Sequence, residues 1–284
     1  MAGEGTLVMG AVAYDPKVVT IWEGFKDWFG AHGLSFDYVL YSNYDSLVEA
    51  LVAGQLDVAW NSPLAWVRAE RLARARGDEV RAVAMRDSDC DLTSVVVVRS
   101  DGPVDEVDDL RGRRVGVGAF DSPQATLIPL SHLRSLVLVA GVDFDVVGHE
   151  VGVGKHGDHV GGERDAARAL MAGTVDAACM IDGNHLLFSH EGTLPPGSTR
   201  ILTQTPAYDH CNFTVRAHAP APLVERFTEL LLSMSYDDPE VRPLLDLEGL
   251  KAWRPGRTSG YGALQAAVAE QGVYDDVGDL PSSL

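Results

Sequence analysis

The 284-residue chain is short of positive charge: 23 lysines and arginines stand against 41 aspartates and glutamates, for a formal net charge of -18. So acidic a chain lacks the footprint for a nucleic-acid backbone or an anionic membrane surface, and neither is expected as a partner. Cysteine is nearly as scarce. Cys90, Cys179 and Cys211 are far apart, odd in number and outside any CxxC spacing, so no disulfide framework is indicated. No apolar run approaches the roughly 18 residues of a membrane span, so no membrane insertion is expected. The opening residues MAGEGTLVMGAVAYDP lack the basic start, apolar stretch and small-residue cleavage site of a secretory signal. As written, the chain is expected in the cytoplasm; if a signal has been removed, it belongs in the periplasm or on an extracellular lipid anchor. Gly116-Val117-Gly118 and Gly152-Val153-Gly154 lack the third glycine of a dinucleotide loop, and GxxxxGK[ST] is missing, so no nucleotide cofactor is expected. GxSxG and HExxH are missing too.

What the chain has is a 46% hydrophobic composition, enough for one large or two medium domains, and an alternation of short apolar runs with helix-length segments. That alternation is the grammar of an α/β protein with largely parallel sheets. Strands are predicted over 8–12, 37–41, 56–60, 95–98, 114–118, 143–147, 175–180, 200–204 and 213–215. Helices are predicted over 18–29, 45–53 and 64–76, from Ser122-Pro123 towards Ala140, over 161–172, from Asp182 through His190, and around 223–234 and 262–271. The four consecutive valines 95–98 should be buried on both faces. Asn61-Ser62-Pro63 reads as the cap of the third helix, a side-chain acceptor followed by proline in the first turn.

An internal repeat organises the reading. Ala50-Leu51-x-Ala53-Gly54-x-x-Asp57-x-Ala59 returns as Ala169-Leu170-x-Ala172-Gly173-x-x-Asp176-x-Ala178. Each copy is a helix stopped at glycine before a strand that opens on aspartate, which predicts two similar lobes. The expected boundaries are 1–95 for the first lobe, 96–205 for the second and 206–284 for a return to the first with the C-terminal helices.

Gly10-x-Val12-x-Tyr14, the run from Tyr44 through Leu47, Ala50-Leu51, Gly54, Asp57 and Ala59-Trp60 to Ser62-Pro63, Val107-x-Asp109-Leu110-x-Gly112-x-x-Val115 and Trp253-x-Pro255-x-x-x-x-Gly260-Tyr261 carry a resemblance. With these motifs the chain resembles the phosphonate- and phosphite-binding substrate-binding proteins of ABC transporters. The resemblance implies an α/β, two-lobed, type II periplasmic-binding-protein-like fold with a ligand cleft between the lobes. It also implies a small oxyanion or zwitterion as ligand, and a transporter permease as partner if the protein is exported. By position the ligand contacts would be Tyr14, Trp60, Asn61, Ser62, Thr93, Ser94, Ser122, Gln124, Thr126 and Asp182. Helix starts offer free amides and a partial positive charge, so an anion could be held without lysine or arginine. One stretch departs from the family, whose second-lobe phosphate loop is usually a Ser-Thr-Ser-Gly run. Here it reads Asp121-Ser122-Pro123-Gln124-Ala125-Thr126, with one amide donor removed and one negative charge added.

Several side chains are not needed by a transporter protein. His156, Asp158 and His159 precede a helix in the second lobe, Asp182 and His185 follow a strand, and His210-Cys211 lies near the return to the first lobe. Loops after strands converge on the ligand crevice in such folds. His156, His159, His210 and Cys211 are the types that hold a transition metal such as zinc, iron or copper. His156, His159, His185 and His210, oriented by Asp158 or Asp182, would equally suit acid–base work. The alternative function is therefore a cytoplasmic enzyme on the same scaffold, working on a small polar metabolite.

Overall fold

The computed structural model describes residues 5–157 and 162–280. Two compact units account for the chain. Unit 1 takes in the chain up to Cys90, Asp209–Tyr261 and the chain from Tyr274 onward; unit 2 takes in Asp91–Tyr208 and Gly262–Val273. Each unit has its own sheet, so the repeated modules lie in two sheets and not in one.

In unit 1, β1 (Leu7–Val12) is flanked in parallel by β2 (Phe36–Tyr41) and β3 (Val58–Asn61). β10 (Asn212–Arg216) runs antiparallel between β3 and β4 (Val80–Arg86), and β11 (Trp253–Pro255) closes the edge beside β4. The order is β2-β1-β3-β10-β4-β11. Period-two alternation along β1 sends Leu7, Met9 and Ala11 to one face of the sheet. There they meet α1 (Lys17–Ala31), α7 (Ala221–Ser233) and α8 (Arg242–Glu248) through Phe25, Phe29, Phe227 and Leu245. Val8 and Val12 face the other way, onto α2 (Tyr44–Val52) and α3 (Pro63–Ala75). Gly10 is required on that second face, since a Cβ there would lie 2.4 Å from methyl carbons of Leu47 and Leu56.

In unit 2 the order is β7 (Asp145–Gly148), β6 (Arg114–Val117), β8 (Ala177–Ile181), β5 (Ser94–Arg99) and β9 (Thr199–Gln204). β7, β6 and β8 are parallel; β5 runs antiparallel to β8 and β9. The valine strand is buried on both faces, Val96 and Val98 against Leu133 of α4 (Ile128–Ser135), Val95 and Val97 against Leu170 of α5 (Glu163–Met171) and Phe188 of α6 (Asp182–Glu191). α9 (Gly262–Gln271) belongs here as well. Gln271 donates to the Leu127 carbonyl at 2.8 Å and Ser131 to Glu270 at 2.7 Å. The return of the chain to unit 1 is therefore interrupted by α9, whereas the sequence assigns all of 206–284 to that return.

The two units repeat each other in detail. Asp57 accepts the Val8 amide at 2.8 Å and Asp176 the Arg114 amide at 3.0 Å, each tying the new strand to its parallel neighbour. Gly10 pairs with Ala59 in one sheet and Gly116 with Ala178 in the other. The helix stops Gly54 and Gly173 take φ of +78° and +72°, a left-handed turn that favours glycine. Arg216, at the end of β10, and Arg99, at the end of β5, reach over these two glycines.

Sequence and structure differ at five elements. β4, β11 and α8 carry no strong period of their own and were not predicted. The helix expected to run from Ser122 towards Ala140 opens instead with a π-helical turn at Pro123–Leu127 and ends at Ser135. The helix expected from residue 161 begins at Glu163, after Gly162 at φ +87°.

Candidate functional site

The candidate residues of unit 1 lie at the C-terminal end of β3 and on β10. Ser62 caps α3 in extended conformation, its hydroxyl accepting the Ala65 amide at 3.1 Å, with Pro63 in the first turn. Asn61 is fully buried and its Nδ2 donates to Thr214 Oγ1 at 2.9 Å. Thr214 donates to Asn212 Oδ1 at 2.7 Å, Asn212 Nδ2 to Tyr261 Oη at 2.8 Å, and Tyr261 to the His210 carbonyl at 2.6 Å. Asn212 and Thr214 share one side of β10, while Phe213 and Val215 face the first core. That alternation of polar and apolar residues is the signal by which sequence reasoning could have found them. Tyr14 is half-buried beside the same core, with Lys17 Nζ 5.9 Å from its ring.

Trp60, expected as a ligand contact, lies buried in the core of unit 1. Its ring packs 4.6 Å from Phe213 and 5.8 Å from Trp253 within the apolar core, with the Arg86 guanidinium 5.2 Å above it. Alternation on β3 turns Trp60 inward, away from the course of Asn61.

His210 and Cys211 are buried together, Nδ1 lying 3.1 Å from Sγ and 3.3 Å from Asp89 Oδ1. Among the described residues, Asp89, His210 and Cys211 form the one group of three whose donor atoms could converge on a metal. Asp89 is already engaged, however. Arg86 binds both its oxygens, at 2.6 and 2.9 Å, and also reaches Glu248 at 3.2 Å. Burial alone would raise the Asp89 pKa, but Arg86 and His210 outweigh it and hold the carboxyl well below its usual range. A guanidinium beside the carboxylate opposes a cation, so this group reads as the polar anchor of β4 and β10.

In unit 2 the candidates gather at the ends of β5, β6, β8 and β9. Thr93 donates to Asp182 Oδ2 at 2.9 Å and accepts from Gln204 Nε2 at 2.7 Å. Ser94 donates to the Gln124 carbonyl at 2.6 Å, so Tyr208, 2.7 Å away, donates to Ser94. Burial holds the Tyr208 phenol far above its ordinary pKa, leaving it a donor. Ser122 caps the π-helical turn by accepting the Ala125 amide, and Gln124 and Thr126 are buried with their side chains bonded to the Gly157 and Ala119 carbonyls. Sequence reasoning missed Gln204 and Tyr208, which no local motif marks.

Among the described residues the histidines do not form one constellation in either unit. His156 is buried in a left-handed turn at φ +51°, and His185 bonds Thr199 at 3.2 Å on α6. Burial lowers the His185 pKa, so it is neutral near pH 7. His210 belongs to unit 1, and Asp158 and His159 lie outside the described residues. His156 joins no group of three metal-binding side chains among the described residues.

Two α/β units of matching strand order, each with capped helix starts at its strand ends, define the class of two-lobed periplasmic binding proteins. The model of the family "ABC transporter, phosphonate, periplasmic substrate-binding protein" matches residues 10–261, and the chain belongs to that family. Solved structures agree in fold. PhnD1 of Prochlorococcus marinus, in complex with methylphosphonate, superposes with a TM-score of 0.68 at 16% identity over 94% of this chain and 98% of its own. XAC2383 of Xanthomonas citri, bound to ATP, gives 0.69 at 17% identity over 96% and 99%. The aliphatic sulphonate binding protein SsuA of Escherichia coli gives 0.57 at 16% identity over 99% and 94%. The protein is a substrate-binding protein of the phosphonate ABC-transporter type, and these comparisons give the enzyme alternative no support. Among the described residues no helix is long and apolar enough to cross a membrane.

Proposed function

We propose that this protein captures a small polar molecule outside the cytoplasmic membrane and delivers it unchanged to a transporter permease. The observation that carries this reading is the family match over residues 10–261. The polar strand ends of the two units support it. In unit 1 we assign Tyr14, Asn61 and Ser62 to the ligand, and in unit 2 Thr93, Ser94, Asp182 and the turn 121–126. Thr93, Asp182 and Gln204 form a side-chain cluster that offers both donors and acceptors, as recognition of a zwitterion requires.

The test is a thermal-shift screen of small oxyanions, zwitterions and amines, followed by calorimetry on the best probe. Tyr14→Ala and Thr93→Ala, both at positions short of full burial, should each weaken binding by about tenfold while leaving the fold intact. Unchanged affinity in both variants would refute the assignment.

A further inference from the structure

The turn that follows β6 in unit 2 owes its shape to a proline. Ser122 caps it, and two of its amides reach back five residues rather than four, Leu127 to the Ser122 carbonyl at 3.0 Å and Ile128 to the Pro123 carbonyl. The next residue is Pro129, in the first turn of α4. Proline has no amide hydrogen, and its ring crowds the carbonyl four residues back, here that of Ala125. Widening the helix by one residue relieves the crowding, so the π-helical turn Pro123–Leu127 stands directly before Pro129.

The carbonyls that an amide at 129 would have bonded are those of Gln124 in the wide register and Ala125 in the α register. Both take partners from outside the helix. The Gln124 carbonyl accepts the Ser94 hydroxyl at 2.6 Å, and the Ala125 carbonyl accepts the Gly118 amide at 3.2 Å. Ser94 opens β5 and Gly118 follows β6, so these two ties come from the sheet. A third comes from a helix end late in the chain. Gln271, the last residue of α9, donates from Nε2 to the Leu127 carbonyl at 2.8 Å. Beside it Glu270 accepts the Ser131 hydroxyl at 2.7 Å.

We propose, resting on the substrate-binding reading above, that Gln271 is a positioning residue for the ligand turn of unit 2. Its amide holds the C-terminal end of the π-helical turn and so fixes the course of residues 122–126, which that reading assigns to the ligand. Gln271 acts through the turn and touches no ligand itself. Losing the extra residue of the wide register would swing 122–126 by about 100° around the axis of α4, since an α-helix turns that far per residue.

Two readouts on the full chain test this: hydrogen exchange of the Leu127 and Ile128 amides, which needs no ligand, and calorimetry with methylphosphonate, or with the tightest compound of the thermal-shift screen where that binds better. Gln271→Glu keeps the length and removes the donor. At about pH 8 it should quicken exchange at 127–128 and weaken the probe about three- to tenfold. Gln271→Lys, which restores a donor, should recover most of both. Glu270→Ala removes the neighbouring tie of α9 and should leave both unchanged, so a general loosening of α9 reads differently from loss of the Leu127 bond. Pro129→Ala supplies the missing amide and lets the α register form; it should melt no lower than the wild type yet bind the probe about tenfold more weakly, a combination that a merely structural role does not produce. Unchanged exchange at 127–128 in Gln271→Glu, quickened exchange with undiminished affinity, or a lysine variant no better than the glutamate one overturns the proposal, and the substrate-binding reading stands if Tyr14→Ala and Thr93→Ala weaken the same probe. If the wild type binds no compound of the screen, methylphosphonate included, that reading falls and the proposal falls with it.

Discussion

Asn61 and Asn212 stand opposite each other on β3 and β10, and the hydroxyl of Thr214 joins their side chains at 2.9 and 2.7 Å. The last member of the chain fixes its polarity. Tyr261 gives its single proton to the His210 carbonyl, so towards Asn212 it can only accept, and Asn212 must turn Nδ2 to it. Asn212 then presents Oδ1 to Thr214; Thr214 donates there and must accept from Asn61 Nδ2. Asn61 Oδ1 is left as a buried acceptor with no partner among the described residues, one residue before the α3 cap.

Thr214→Val removes the central link while keeping shape, and leaves an Asn61 donor and an Asn212 acceptor buried without their partner. Denaturant unfolding should show a loss of about 1–3 kcal/mol, largely restored in Thr214→Ser. A valine variant as stable as the parent would mean that the relay contributes nothing.

The repeated aspartates supply a second test. Asp57→Ala and Asp176→Ala each remove the acceptor of a strand-opening amide, Val8 in unit 1 and Arg114 in unit 2. Both carboxylates are half-buried, so the expected cost is only about 1 kcal/mol each. Hydrogen exchange should quicken at residues 7–9 in the first variant and 114–116 in the second. Because the sites lie in different units, the effects should add.

The legible part of the fold was the part written twice. Gly54 and Gly173 stop helices, Asp57 and Asp176 tie strands, and the valines of β5 announce a strand covered on both faces; all of these act within a few residues of themselves. β11 and α8 are short and held by packing against β4 and α1, which no local period announces. The candidate site was legible at Ser62 and Ser122, where the cap is a local event. It was not legible where partners come from far along the chain. Ser94 meets Tyr208, Asn61 meets Thr214, and Trp60 is assigned to the core by residues 213 and 253.

Arg86 should be indispensable to unit 1. Arg86→Met leaves the carboxylates of Asp89 and Glu248 buried without their common cation, at a cost of about 3–5 kcal/mol. The pH dependence gives the sign. In the parent the depressed Asp89 contributes stability that is present above about pH 4 and is lost as pH falls towards its folded value. In the variant the desolvated carboxylates hold protons more tightly folded than unfolded, so stability should rise as pH falls from about 7 to 5. Equal slopes in the two proteins would contradict this role.

Burial pushes the Cys179 thiol up to about 12, whereas Cys90 is partly exposed. Iodoacetamide at about pH 8 should therefore modify Cys90 in the native protein and reach Cys179 only on unfolding, as read by peptide mass spectrometry. Native labelling of Cys179 would show that unit 2 opens readily.

The central claim, that this chain binds a small molecule and performs no chemistry on it, is tested most directly by following one ligand through a binding cycle. Native mass spectrometry of the protein from its own cells should reveal one bound small molecule, released on denaturation. Returned to fresh protein at catalytic ratios and incubated for hours, that molecule should rebind and come back with its mass and structure unchanged. Recovery of a chemically altered product, formed in excess of the protein present, would contradict the account and make the protein an enzyme.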